Sequence, residues 1–337
     1  MEIRKIAITG ASGFLGQHVL HAFMTSNALT NGTDKNQLFE IYALHGGSLE
    51  NFCSNVVKVV PSPNPQVTVT FHKLDLTRAE EVQKWVSSNQ PDICLHLAAL
   101  SSPAKCQEDS KRAHDINCPV AFLNALAKSN VDVVALSTDQ VYSGTKTSPE
   151  EFYVETQDKV GPVNVYATTK VSMEKTLVDL LPSNSVLLRS SIILGPEAPF
   201  GGAHKTFLHF CSSREGLSTD YFDDECRSVV AVSDVVAILQ HFVVPGNMTK
   251  ESAGIYNMGG QDRASRYDMA LAVAERFQFD KQFVVKKQKA AMPPGNVPSP
   301  LDISMDSTKL AKIVGREAFK GLQDIVNETF PPNTKRP

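Results

Sequence analysis

The sequence predicts an α/β protein built on a doubly wound parallel sheet, with a smaller lobe interleaved toward the C-terminus. Three observations carry this prediction. Short apolar runs alternate with segments of helical periodicity from residue 4 to about residue 195, the spacing of strand and helix units that cover a parallel sheet on both faces. A glycine triplet, Gly10, Gly13 and Gly16, stands between the first apolar run and the first helical segment. Farther on, Tyr166 and Lys170 lie four residues apart in a helical stretch.

The elements follow in order. Residues 4–9 form a strand that ends at Gly10, and 14–24 carry apolar residues at helical spacing. The polar stretch 26–37 reads as an exposed loop, longer than most such connections, before a second strand at 40–44. Strands are then expected at 67–74, 92–98 and 131–137, separated by a helix at 78–88 and one at 110–129 that is interrupted near Pro119. A helix over 166–181 is closed by Pro182, and a strand follows at 185–194. Beyond Gly195 the pattern loosens: 196–226 mixes Gly, Pro and His around an amphipathic stretch at 205–211, and clear strand and helix signals return at 229–244 and 254–279. A proline-rich loop at 292–300, two closing helices at 307–314 and 321–330, and a frayed tail at 331–337 complete the chain. The expected division is a dinucleotide-binding domain over 1–195 with return segments at about 227–260, and a second lobe made of 196–226 and 261–337.

Bulk composition narrows the function. The 337 residues, 42% hydrophobic and 20% charged, suffice for one large core or two joined lobes. A formal charge of −3, with no Lys/Arg run interleaved with aromatics, argues against nucleic acid as a partner. No apolar run approaches the ~20 residues that span a bilayer, and residues 1–5 lead into a short apolar run with no signal-peptide cleavage pattern. The expectation is a cytoplasmic protein with no membrane partner. The six cysteines, Cys53, Cys94, Cys106, Cys118, Cys211 and Cys226, show no C-x-x-C or metal-ligand spacing, so reduced thiols and no metal site are expected. The N-x-T sequons at Asn31, Asn247 and Asn327 carry no modification without secretion.

The glycine loop points to a dinucleotide. Gly10 permits a tight bend, Gly13 lets the backbone approach a pyrophosphate, and Gly16 lets helix and strand pack closely, while the helix N-terminus offers free N–H groups and a positive dipole end. NAD and NADP remain open, because Leu44-His45-Gly46-Gly47 offers neither the acidic residue that would take a ribose diol nor an arginine for a 2′-phosphate. His45 either meets a 2′-phosphate when protonated or is an ordinary surface residue. Asp75, at the end of the third strand, either reaches the adenine amino group or caps the helix that follows.

The remaining chemistry lies at a strand end and on one helix face. Ser137 and Thr138 emerge at the carboxyl end of an apolar strand, where ligands bind in open α/β sheets, or else close that strand with local hydrogen bonds. Residues at i and i+4 share a helix face, so the Lys170 charge is expected beside the Tyr166 phenol, lowering its pKa from about 10.

These motifs, with their order, resemble the extended short-chain dehydrogenase/reductase superfamily and within it the dTDP-4-dehydrorhamnose reductase (RmlD-like) family, which also includes the regulatory β subunit of methionine adenosyltransferase. The matching stretches are TGASGFLG (9–16), HLAAL (96–100), DIN (115–117), STDQVYSG (137–144), PVNVYATTK (162–170), LLRSSIILG (187–195), DDECRSVVAVSDVV (223–236), GIYNMGG (254–260) and LDISMDSTKL (301–310). The resemblance implies a Rossmann-type sheet that binds NADP or NAD and a C-terminal lobe that binds the substrate. It implies that Thr138 hydrogen-bonds the substrate carbonyl, Tyr166 delivers a proton and Lys170 holds the nicotinamide ribose, with Asn117 supporting either the local backbone or a proton-relay water. Cofactor contacts are expected from Gly10, Ser12, Gly13, Phe14, Leu15, Gly16, His45, Asp75, Leu76, Ala98, Ala99, Leu100 and Ser191, the last within a stretch, 189–192, beside the nicotinamide. Substrate contacts are expected from Ser101, Ser102, Thr138, Asp139 and Arg227, with Lys105 and His204 as further candidates. Arg227 suits phosphate, or forms an ion pair with Asp223 or Asp224.

Two departures bear on the substrate. Ile192 and Ile193 stand where the bacterial reductases usually carry an aromatic residue, and Ser299-Pro300 stands where they carry Arg-Pro. The leading reading is an NAD(P)H-dependent reductase of a nucleotide-linked 4-keto sugar or related carbonyl, with a homodimer as the assembly. The alternative is a catalytically silent, NADP-binding regulatory subunit with a synthetase partner. A third reading is an NAD-dependent sugar-nucleotide epimerase; a dehydratase is disfavoured because Gln140 follows Asp139 where an acidic pair is usual.

Overall fold

The computed structural model describes residues 3–25, 29, 37–47, 49–146, 148, 150–293, 295 and 297–334. The loop expected at 26–37 falls outside them apart from Leu29 and Gln37, as do Asn31 and the last three residues of the tail.

The chain begins β1 (Ile3–Thr9), α1 (Phe14–Thr25), β2 (Leu38–His45), α2 (Leu49–Val59), β3 (Val67–Lys73), α3 (Ala79–Asn89) and β4 (Ile93–His96). It continues α4 (Pro103–Glu108), α5 (Ser110–Asn117), α6 (Val120–Lys128), β5 (Asp132–Thr138), α7 (Val165–Leu180) and β6 (Ser185–Ser190). The interleaved part holds β7 (Ile193–Leu194), α8 (Phe207–Ser212), β8 (Thr219–Phe222), β9 (Cys226–Arg227), β10 (Val230–Ala231), α9 (Val232–Val243) and β11 (Gly254–Met258). The last elements are β12 (Ala264–Ser265), α10 (Arg266–Phe277), β13 (Val284–Lys287), α11 (Thr308–Ile313) and α12 (Leu322–Thr329).

A seven-stranded parallel sheet of order β3-β2-β1-β4-β5-β6-β11 organises the molecule. The order in which the chain adds strands reverses between β1 and β4, and such a switch point opens a crevice at the carboxyl ends of the strands. Strands buried on both faces need continuous apolar runs, and β1, β4 and β6 supply them with Ile6, Ile8, Ile93, Leu95, Val186 and Leu188 all fully buried. One face packs α1, α2, α9 and α11 through Val19, Phe23, Phe52, Leu239 and Leu310; the other packs α3, α6 and α7 through Trp85, Phe122 and Leu177. A separate core formed by Leu208, Tyr221, Met269, Phe277, Ile325 and Phe330 holds the second lobe.

The structure differs from the sequence reading in three places. The strand expected at 185–194 breaks: the Ser191 N–H donates to Met258 O (3.0 Å) and the Val230 N–H to Ile192 O (3.0 Å), so the chain bends out of the main sheet and β7 pairs with β10. Helix α2 had no counterpart in the sequence reading; Phe52, Val56 and Val60 bury at four-residue spacing, but intervening Asn51, Ser54 and Asn55 weaken the local helix signal. The segment after 261 does not belong wholly to the second lobe, because Leu310, Ala311 and Phe319 join the main-sheet core. Among the described residues no helix is long and apolar enough to cross a membrane, and no group of three His, Cys, Asp or Glu side chains is placed to hold a metal.

Candidate active site

A cleft of about 1330 Å³ runs along the carboxyl ends of β1, β2, β3 and β4 and reaches Tyr166 and Lys170 on α7. Gly10, Ser12, Gly13, Phe14, Leu15 and Gly16 line one end. The turn is glycine-bound by geometry. Gly10 sits at φ +70°, and a Cβ there would lie 2.9 Å from the Ala98 backbone; a Cβ on Gly16 would lie 2.2 Å from Gly10 O. Gln17 braces the turn, donating to Ser12 O (2.9 Å) and Gly201 O (2.8 Å) while accepting from the Phe200 N–H (2.8 Å).

Thr9 and His96, which the sequence reading did not single out, hold the opposite wall. Thr9 Oγ1 accepts from the N–H groups of Leu97 and Ala98 (both 3.1 Å), so its own proton goes to His96 Nδ1 (3.0 Å). That bond leaves the His96 proton on Nε2, where it has no partner. Burial first, and the Lys170 charge second, pull His96 down to about 3, so it stays neutral. The signal was a hydroxyl one residue before the first glycine, but its partner lies 87 residues away.

Tyr166 and Lys170 occupy successive turns of α7, which Asn164 caps by accepting from the Ala167 N–H (2.9 Å). The Asn164 amide also donates to Gln140 Oε1 (2.9 Å) and Pro298 O (3.0 Å), tying the helix start to a distant loop. Burial pushes the Tyr166 phenol up rather than down, against its hydrogen bond with Thr138, and the Lys170 ammonium does not offset it. Lys170 is itself buried; desolvation draws it down to about 8 against the pull of the Glu174 carboxylate. Among the described residues its ammonium makes one hydrogen bond, to Met173 Sδ (3.7 Å), a weak acceptor that leaves it donors for a ligand hydroxyl.

Several other expected residues are committed elsewhere. Both polar atoms of Asn117 are used: Oδ1 accepts from the Leu100 N–H (2.7 Å) and Nδ2 donates to Leu100 O (3.2 Å) and Thr169 Oγ1 (3.0 Å). Asn117 therefore clamps the Leu100 backbone to α7. Arg227 pairs with neither Asp223 nor Asp224. Its nitrogens meet Cys226 O and Leu301 O (2.6 Å each), Pro300 O (3.0 Å), Glu225 Oε1 (3.2 Å) and, as an ion pair, Asp139 Oδ2 (3.7 Å). Asp139 is buried behind Thr138 and accepts from its hydroxyl (3.2 Å). Ser102 caps α4, and Ser191 is buried with its hydroxyl unpartnered; neither lines the cleft, whereas Ser101, Ala98, Ala99 and Leu76 do.

At the adenosine end, Asp75 is neither a helix N-cap nor an open acceptor on both oxygens. Its Oδ1 takes the Thr77 hydroxyl (2.7 Å) and N–H (3.0 Å), bonds that hold its pKa below the usual carboxylate value. His45 is buried; its Nδ1 accepts from the Gly47 N–H (3.2 Å), and its Nε2, shut off from solvent, has no partner among the described residues. Burial and then the Lys73 charge lower its pKa, which disfavours the cationic form that would meet a 2′-phosphate. Lys73 and Arg78 line the cleft beside it.

A glycine cradle that excludes Cβ atoms and an under-bonded ammonium along one cleft fit an extended dinucleotide. Below the strand ends Glu174 binds Arg189 (2.8 and 3.0 Å) and Ser137 (2.5 Å), and Arg189 donates to Tyr142 OH (3.0 Å), so Arg189 faces inward.

A doubly wound sheet with this glycine turn at its switch point, and Thr138, Tyr166 and Lys170 at its carboxyl edge, defines a protein of the extended short-chain dehydrogenase/reductase type. The chain belongs to the family described as the RmlD substrate binding domain, whose model matches residues 4–329. It is 27% identical over 258 residues to the dTDP-4-dehydrorhamnose reductase of Aggregatibacter actinomycetemcomitans, spanning 74% of this chain and 84% of that protein. It is 23% identical over 280 residues to methionine adenosyltransferase 2 subunit beta of Mus musculus, spanning 81% of this chain and 72% of that one. Among solved structures, the dTDP-4-dehydrorhamnose reductase of Bacillus anthracis in complex with NADP superposes with a TM-score of 0.68 at 17% identity, over 97% of each chain. At that identity the likeness is one of fold.

Proposed function

We propose that this chain is an NAD(P)H-dependent reductase of a nucleotide-linked 4-keto sugar or related carbonyl. The observation that carries the reading is the meeting of Tyr166 and Lys170 with the glycine cradle in one cleft, with the Thr138 hydroxyl against the phenol. Bound reduced nicotinamide supplies the hydride. Thr138 then orients the carbonyl by turning its hydroxyl proton from Asp139 to the oxygen, and Tyr166 hands its proton to that oxygen as negative charge develops there. The raised phenol pKa suits that direction of transfer, since Tyr166 starts in the proton-bearing form. Lys170 holds a ribose hydroxyl and favours the phenolate left behind. The absence of a carboxylate after β2, together with Lys73 and Arg78 at the cleft, favours NADP over NAD.

The test is NADPH and NADH oxidation with a panel of nucleotide 4-keto sugars. Tyr166→Phe is expected to lower kcat by about 10²- to 10⁴-fold; turnover that survives the substitution removes the assigned mechanism. A second reading, a cofactor-binding regulatory subunit akin to the mouse relative, is favoured by one observation: Arg227 spends its donors inside the protein and has none for a substrate. NADP binding without turnover of any panel member, with co-purification of a methionine adenosyltransferase, decides for that reading.

A further inference from the structure

Gln17 joins two parts of the molecule that lie far apart in sequence. It sits in the first turn of α1, fully buried, and every bond its side chain makes is to backbone. The amide donates to Ser12 O (2.9 Å) and Gly201 O (2.8 Å) and accepts from the Phe200 N–H (2.8 Å). On the near side, Ser12 lines the cleft within the glycine turn. Fixing its carbonyl fixes the plane of the Ser12–Gly13 peptide, and with it the aim of Phe14 and Leu15, whose N–H groups open α1 without a partner inside the helix.

On the far side, Phe200 and Gly201 belong to segment 196–206, which leaves β7 and runs into α8, whose Leu208 is part of the second-lobe core. The segment docks on α1 and α2. His18 Nε2 meets Pro196 O (3.3 Å), and Asn55 Nδ2 donates to Phe200 O (3.0 Å). The buried Phe200 ring packs against His21 and Phe52, with centroids 6.0 and 6.1 Å away. None of residues 196–206 lines the cleft, so the segment meets the cradle from behind, through the Gln17 amide.

We infer that Gln17 is a positioning residue through which segment 196–206, the entry to the second lobe, sets the shape of the dinucleotide cradle. With the segment docked, Phe200 and Gly201 hold the amide and the amide holds Ser12. With it released, Gln17 loses both anchors and the Ser12 carbonyl is free to turn. Such a coupling is reciprocal: the factor that docking adds to cofactor affinity is the factor that bound cofactor adds to docking. Cofactor binding thereby tightens the root of the lobe before a substrate arrives. The inference rests on the dinucleotide reading of the cleft and not on turnover, so it holds for a reductase and for a regulatory subunit alike.

Calorimetric titration with NADPH and amide hydrogen exchange on the 337-residue chain test it. Gln17→Met keeps the side-chain length and removes the three hydrogen bonds, and is expected to weaken NADPH by about 10-fold. Phe200→Ala leaves the turn and cleft untouched and is expected to cost a similar factor. The double variant is expected to stay near about 10-fold, where independent losses would multiply to about 100-fold. In the parent, saturating NADPH is expected to slow exchange across 196–206 by about 10-fold, and in Gln17→Met to leave it unchanged. A Gln17 that only packs would lower stability in chemical unfolding and move neither readout. Unchanged NADPH affinity in Gln17→Met, losses that multiply in the double variant, or exchange at 196–206 that ignores NADPH each overturn the proposal. The exchange measurement on the parent decides alone if the variants do not fold. A parent that binds neither NADPH nor NADH removes the dinucleotide reading itself, and the proposal with it.

Discussion

Lys170 shows how function is bought at the level of one residue. An ammonium buried beside a thioether is drawn down to about 8, against an ordinary 10.5. Below pH 8 the charge is present in both folded and unfolded chains, and its desolvation destabilises the fold by about 3 kcal/mol. Between pH 8 and 10.5 the unfolded chain binds the extra proton, so that penalty is relieved as pH rises. Lys170→Met is therefore expected to raise Tm by a few degrees at pH 7, with the gap to the parent closing toward pH 10, while NADPH binding weakens. A variant no more stable than the parent at pH 7 would show that the charge carries no such strain. Tyr166 and Lys170 were readable because i,i+4 spacing on a helix is a local pattern. The direction of the Tyr166 shift was not, because it depends on how much water the surrounding chain removes.

At the scale of elements, the glycine turn is where local chemistry and packing agree most closely. A Cβ on Gly16 would lie 2.2 Å from a backbone carbonyl, and no side chain yields to relieve that contact. Gly16→Ala is expected to cost about 2 kcal/mol or more and to weaken NADPH by at least about 10-fold, measured by chemical unfolding and fluorescence titration. Tight cofactor binding in that variant would show that α1 shifts freely. The strand, turn and helix around this loop were readable for the same reason, since each signal lies within a few residues. The break between β6 and β7, the start of α2 and the Thr9–His96 pair were not. Each depends on partners far along the chain, such as Met258 for Ser191 and Val230 for Ile192.

Across the whole molecule, burial acts in one direction on histidine. Seven of the nine, His18, His21, His45, His72, His96, His209 and His241, have pKa values lowered chiefly by desolvation. A folded pKa below the unfolded one means that the unfolded chain binds more protons between the two. The associated stability is complete above about pH 6.5 and is lost as pH falls through the folded values, to about 3 for His96. Most carboxylates titrate lower, so a fall in Tm already evident between pH 7 and pH 5 is the expected signature, read by calorimetry. A flat profile over that window would show that these imidazoles are hydrated in solution. The return of Leu310 and Phe319 to the main-sheet core was not readable, because short amphipathic helices do not declare which core they serve.

The amide of Asn164 reaches 134 residues ahead to Pro298, and Arg227 grips the carbonyls of Pro300 and Leu301. During synthesis α7 leaves the ribosome long before that strap exists. Helix α7 must therefore wait, its first turn only partly tied down, until residues 298–301 have emerged. A half-made chain carries Tyr166 and Lys170 without the strap that fixes the start of their helix.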